Sequence, residues 1–325
     1  MEQLYKLFNL TPHSFIQDLN PCVDVSIYEE QVMQRVLPAD EEEYIYVDTG
    51  AFVIGFDEGF YLQLIDDMGW EQHQLKIIKK LCKTDRLIRP DVTSFSKKDE
   101  CEYLNLSCQG VRPDCVITSE SITHSENSKN NFSTIELIND SPPKAWRKIK
   151  IGKININFDD VTGHSKNFLK FAPNIDVWDN HLHPDGYGYA DMHKFFREIG
   201  SSNNKVEVTI NKNNSTVFDE VDNRAHAESY FNYFKQFSSC LTGVDSIELR
   251  LWDEVHDRGV FCASLGGFEL GLGLQDRGKG DDKEQNYIGW SPNEVEDRFS
   301  NYDISNNKDR KNHARWEVYP SLFQR

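Results

Sequence analysis

Between Asn174 and Trp252 the hydrophobic pattern switches period repeatedly, which narrows the folds open to this chain. "NIDVW" is strand-like. "ADMHKFFREI" sets Met192, Phe195, Phe196 and Ile199 on one helical stripe. "KVEVTIN" alternates strictly. "RAHAESYFNYFKQFSS" brings Ala227, Tyr230, Phe231, Phe234 and Phe237 near helical spacing, and "DSIELRLWDE" alternates again. A strand and a helix each carry an apolar face that has to be covered. Strands and helices in alternation therefore predict a layered α/β fold joined by right-handed crossovers.

At 325 residues the chain is long enough for two domains of about 150 residues each. Pro142-Pro143 can continue neither a helix nor a central strand, and the boundary is placed there. Residues 1–142 form a smaller N-terminal α+β domain in this reading, and residues 143–325 an α/β domain with a mixed sheet flanked by helices. In the first part, "YIYV" and "AFVIGF" read as buried strands and Thr11-Pro12 as a helix start. The Ser/Asn-rich stretch Ser119 to Ser133 reads as an exposed loop, followed by a strand-like "STIELI". In the second part, "SPNEVEDRF" has Ser291 as cap, Pro292 at the first helical position and Glu294 completing a capping box.

The formal net charge of −17 argues against non-specific binding to nucleic acid, where affinity comes from Lys and Arg, but leaves room for a local basic seat. No apolar run reaches the length of about 20 residues that spans a bilayer, and the N-terminus lacks a signal-peptide series. Seven cysteines in a chain of this length suggest free thiols in a reducing, cytoplasmic setting. Cys101, Cys108 and Cys115 recur every seven residues ahead of His124. Zinc ligands pair at closer spacing, so no metal is expected, and no cofactor.

Several motifs tempt and fail. His181-Leu182-His183 resembles the metal motif of JAMM-type peptidases, but Lys194 stands where their aspartate should be; a polar turn closing "IDVW" is the simpler reading. Pro113-Asp114 with Glu136 resembles a metal-dependent nuclease core. Ile138 replaces the lysine that would orient the attacking water. No Gly-x-Ser-x-Gly signature appears, and Gly271 and Gly273 lack the spacing of a dinucleotide loop.

His256-Asp257-Arg258 remains. An imidazole can attack phosphorus or donate a proton, and a guanidinium grips phosphate oxygens as a fork. A strand-end histidine beside a surface ion pair is the plain alternative.

In order, the pieces are "IDVWDNHLHP", "DMHKFFREI", "VEVTIN", "AESYFNYFKQF", "IELRLWDEVHDR" and "LGGFELGLGLQD". From about Asn174 to Tyr302 this order resembles the phospholipase D-like domain found at the C-terminus of MIT-domain proteins, and related bacterial domains. The sharpest part of the resemblance is the His-Asp-Arg triplet with the glycine-rich step after it. Active phospholipase D-type enzymes use His-x-Lys with an acid five positions after the lysine, in two facing half-sites. Here Arg258 replaces the lysine and Ala263 the acid. The resemblance thus implies a degenerate, single-motif domain that recognises phosphate more than it cleaves.

The reading that follows is a non-catalytic module that binds a phosphate-bearing ligand, a lipid headgroup or nucleic acid, and forms a homodimer or joins a larger complex. His256 and Arg258 hold the phosphate, with Asp179, Asn180 and His183 on the rim. Asp257 orients the loop. Two alternatives stand beside it. One is a phosphodiesterase, nuclease or phospholipase, active across a dimer interface with His256 catalytic. The other is an acidic interaction subunit of a bacterial antiviral-defence or toxin complex.

Overall fold

The computed structural model describes residues 6–10, 51–55, 59–60, 62–63, 66, 87–89, 104, 113–118, 131–134, 151–200, 205–213, 220–252, 256–275, 284–300 and 313–318. The expected features at Thr11-Pro12, "YIYV", Cys101, Cys108, His124, Glu136 and Ile138 lie outside these residues. The chain divides into two compact units, Tyr5–Lys148 and Ile149–Arg325 with Met1–Leu4. The division falls close after the Pro142-Pro143 pair.

In the first unit, β1 (Lys6–Leu10), β2 (Ala51–Ile54), β3 (Leu87–Ile88), β4 (Cys115–Thr118) and β5 (Asn131–Thr134) form a sheet of order β3-β2-β1-β4-β5. Every ladder among the described residues of this unit is parallel. This corrects the expected α+β character. Parallel neighbours need long crossovers rather than hairpins, and a parallel sheet whose order reverses at its first strand belongs with α/β folds. Strand β5 also begins inside the stretch expected to be a loop, because Asn131–Thr134 pairs along the whole of β4. Asp114 has a structural task. Its Oδ2 accepts the Leu7 N–H at 2.7 Å and its own N–H donates to the Leu7 carbonyl at 2.7 Å, pinning β4 to β1.

The second unit holds a mixed sheet of eight strands among the described residues. These are β6 (Ile151–Asn155), β7 (Asn174–Trp178), β8 (Val206–Asn213), β9 (Val244–Trp252), β10 (Gly259–Cys262), β11 (Gly266–Leu270), β12 (Glu284–Trp290) and β13 (His313–Val318). Their order is β13-β9-β8-β7-β10-β11-β12-β6. Strands β7, β8 and β9 run parallel, and the remaining ladders are antiparallel. The helices are α1 (Phe158–Phe171), α2 (His193–Arg197), α3 (Glu220–Gln236) and α4 (Pro292–Phe299). This is an α/β fold, and no described helix is long and apolar enough to cross a membrane.

The two faces of the sheet are covered separately. In the β10–β11 ladder Val260 lies opposite Phe268 and Phe261 opposite Gly267. Paired residues share a face and neighbours alternate. Phe268 meets Phe168 of α1 edge-on at 5.9 Å. Phe261 turns to the other side, where Trp178, Trp252, Trp290 and Phe299 of α4 gather. Gly267 has no side chain because a Cβ there would meet the Phe261 ring.

Candidate functional site

The site is built at the carboxyl ends of the parallel strands, where open α/β sheets place their ligands. Beyond Trp178 the ladder continues for one residue, with the Asp179 N–H donating to the Asn211 carbonyl at 3.0 Å. The chain then turns. Asp179 Oδ1 accepts the His181 N–H at 2.9 Å and its Oδ2 accepts the Leu274 N–H at 2.9 Å, while Tyr189 Oη donates to both oxygens at 3.3 and 3.2 Å. The glycine-rich step serves this carboxylate. Gly273 has φ +79°, and a Cβ there would strike Asp179 Oδ2. Burial raises the Asp179 carboxyl above its ordinary value, opposed by the N–H groups of Leu274 and His181 and by Arg258. Asp179, expected on the rim, instead lies fully buried beneath it. Its oxygens are already engaged by the protein, so it organises the turn.

Register brings the triplet to this turn. Gly259 sits opposite Trp178 in the antiparallel β7–β10 ladder, so the residues before Gly259 run alongside those after Trp178. Arg258 Nε donates to Asn180 Oδ1 at 2.9 Å, across 78 positions of sequence. No other hydrogen bond or ion pair closes on this guanidinium among the described residues. Asp257 points away. Its Oδ1 accepts Arg298 Nε and Nη2 from α4 at 2.9 and 2.7 Å, and its buried Oδ2 has no partner. His256 is exposed. Ala263, in the turn between β10 and β11, is exposed as well.

His183 belongs to a neighbouring group. The His-Leu-His segment is a turn, with His181 exposed, Leu182 buried and His183 half-buried. Helix α3 packs over it. Tyr230 Oη donates to the Leu182 carbonyl, Ser229 Oγ donates to Asp185 Oδ2 at 2.8 Å, and the rings of His183 and His226 meet edge-on at 5.1 Å. Burial, with Lys212 and His226 adding to it against Asp185, takes the His183 imidazole down to about 4. No group of three or more metal-ligating side chains occurs among the described residues, where Cys240 and Cys262 are free thiols.

The sequence reading joined Asn180 to Arg258 and put Asp179 close by. It missed Lys212, Asp222 and His226. Lys212 had a legible signal: in "VEVTINK" the inward positions run Val206, Val208, Ile210 and then Lys212, a cation where the alternation calls for another aliphatic residue.

No protein-family model and no curated protein matches the chain. Among solved structures, it is similar to that of TrmBL2, described as an archaeal chromatin protein with a novel mode of DNA binding. The TM-score is 0.25 at 15% identity, over 47% of this chain and 52% of that one. The chain thus spans about half the length of TrmBL2, and the likeness is too low to bear on fold or function.

Proposed function

We propose that the second unit binds a phosphate-bearing ligand at the Arg258 edge of the site without cleaving it. The observation that carries this reading is the half-used fork of Arg258. Asn180 holds Nε and sets the plane of the guanidinium, which leaves the two Nη groups to grip an anion. His256, two residues ahead on the same segment and exposed, adds a second donor. With a net charge of −17 over the whole chain, affinity has to come from such local groups rather than from the overall field.

The non-catalytic part rests on Asp257 and on residue 263. A histidine that attacks phosphorus is usually oriented by a carboxylate. Asp257 is turned to Arg298, and residue 263, where active relatives of the resembled family carry an acid, is alanine.

The test is calorimetric binding of inorganic phosphate to the full chain, with Arg258→Ala beside the wild type. Loss of a charge-assisted fork corresponds to about 1.5–3 kcal/mol, so affinity is expected to fall by about ten- to a hundredfold. Unchanged affinity would remove the Arg258 seat. Wild-type turnover of a chromogenic phosphodiester that vanishes in His256→Ala would replace binding with catalysis. Sedimentation of the same samples reports whether two copies associate.

A further inference from the structure

We propose that Lys212, His183 and His226 form a second oxyanion seat beside Arg258, so that the ligand is a compact molecule carrying two anionic groups, such as a diphosphate. The two-group part rests on the phosphate reading of Arg258; the second seat stands on its own observations.

Lys212 lies on β8 in the face of Val206, Val208 and Ile210 and is only 5% exposed. Among the described residues no hydrogen bond or ion pair closes on its ammonium. A buried, unpaired cation is unfavourable, and folded chains neutralise it with a partner. The charged groups facing it are Asp179 beyond β7, Asp222 on α3 and the two imidazoles. Burial pulls the ammonium down to about 8 against the two carboxylates, so it is still mostly charged at neutral pH.

The imidazoles complete a donor set. His183 Nδ1 accepts the Asp185 N–H at 3.2 Å, which puts the ring proton on Nε2 as a donor. His226 Nδ1 is buried without a partner, and its Nε2 stands 3.7 Å from Asp222 Oδ2. Lys212 lowers the basicity of both rings, against Asp185 at His183 and Asp222 at His226. An oxyanion among the three would give Lys212 its partner, occupy the bare His226 nitrogen and raise the affinity of both imidazoles for protons.

Asp179 ties this seat to the first: Arg258 acts on its charge, and its charge acts on Lys212. The depth of Lys212 selects the ligand class. A lysine only 5% exposed favours a small diphosphate, which can place one group on Arg258 and the other on Lys212, over a bilayer surface or a duplex backbone.

The experiment uses the full chain with inorganic phosphate and pyrophosphate, read by calorimetry and by NMR titration of the histidine ring protons, for wild type, Lys212→Met, His183→Asn and Arg258→Ala. Wild type is expected to bind pyrophosphate at least about tenfold more tightly than phosphate. Lys212→Met and His183→Asn should erase that advantage, and the Lys212 variant should melt at a higher temperature, because it removes an unpaired buried charge. A lysine that only packs the fold would instead lower the melting temperature and leave the pyrophosphate preference intact. Pyrophosphate should raise the pH midpoint of His226 in Arg258→Ala but not in Lys212→Met. Equal midpoints with and without pyrophosphate in the wild type would overturn the second seat. If Arg258→Ala binds phosphate normally while Lys212→Met does not, the first seat fails and the second survives.

Discussion

Gly273 shows how a single residue sets the geometry of this site. Its φ of +79° is open to glycine and strained for other residues, and the space a Cβ would need is filled by Asp179 Oδ2. Next to it, the Leu274 N–H caps the same carboxylate. Gly273→Ala combines a strained backbone with a collision against a buried anion and is expected to cost at least about 2 kcal/mol. Urea unfolding checks it, and a midpoint matching wild type would mean that the turn yields without cost. Arg258 meets Asn180 across 78 positions of sequence, and Asp257 is committed to Arg298. Lys212 went unread because one lysine at the end of an alternating strand looks like an edge residue until the packing of α3 covers it.

Among the elements, α4 was the most legible. Ser291 Oγ accepts the Glu294 N–H at 3.3 Å, Glu294 Oε2 accepts the Ser291 N–H at 2.6 Å, and Pro292 opens the helix. What holds α4 on the sheet is its other end. Phe299 stacks on Trp178 at 4.5 Å and packs on Phe261 at 4.9 Å. Removing a cap costs about 1 kcal/mol, whereas truncating a large aromatic in a core costs about 3 kcal/mol. Phe299→Ala is therefore expected to destabilise the second unit about two to three times as much as Ser291→Ala, in unfolding followed by tryptophan fluorescence. Equal losses would place the energy of α4 in its cap. Helix α1 escaped the sequence reading because its inner face includes Thr162 and Ser165. Their hydroxyls each donate at 2.6 Å to a carbonyl one turn back, of Phe158 and Val161, so polar residues sit on a buried stripe. Helix α2 is shorter than its stripe suggested. Met192 and Ile199 are buried as expected, but they flank the helical residues His193–Arg197 rather than belonging to them.

At the scale of the whole molecule, the ladders and helices of the second unit all lie within Ile149–Arg325. A fragment of residues 149–325 is therefore expected to fold alone with one cooperative transition and to bind phosphate as the full chain does. Calorimetry of the fragment tests this; a broad, non-cooperative transition would mean that the first unit is needed for the second to fold. In the first unit, the alternation that identified the second was too faint to separate α/β from α+β, because its strands are short and far apart in sequence.

Periodicity and capping are local, carried by residues a few positions apart, and so the alternating elements of the second unit, its α/β class and the start of α4 could be read from the chain. Pairing across long separations is not local. Whether Arg258 reaches Asn180, whether Asp179 ends inside or outside, and whether a strand-end lysine is covered by a helix depend on register and on what packs above, which only the folded chain decides. For the same reason the order β3-β2-β1-β4-β5 was invisible beforehand: nothing within a short parallel strand names its neighbour.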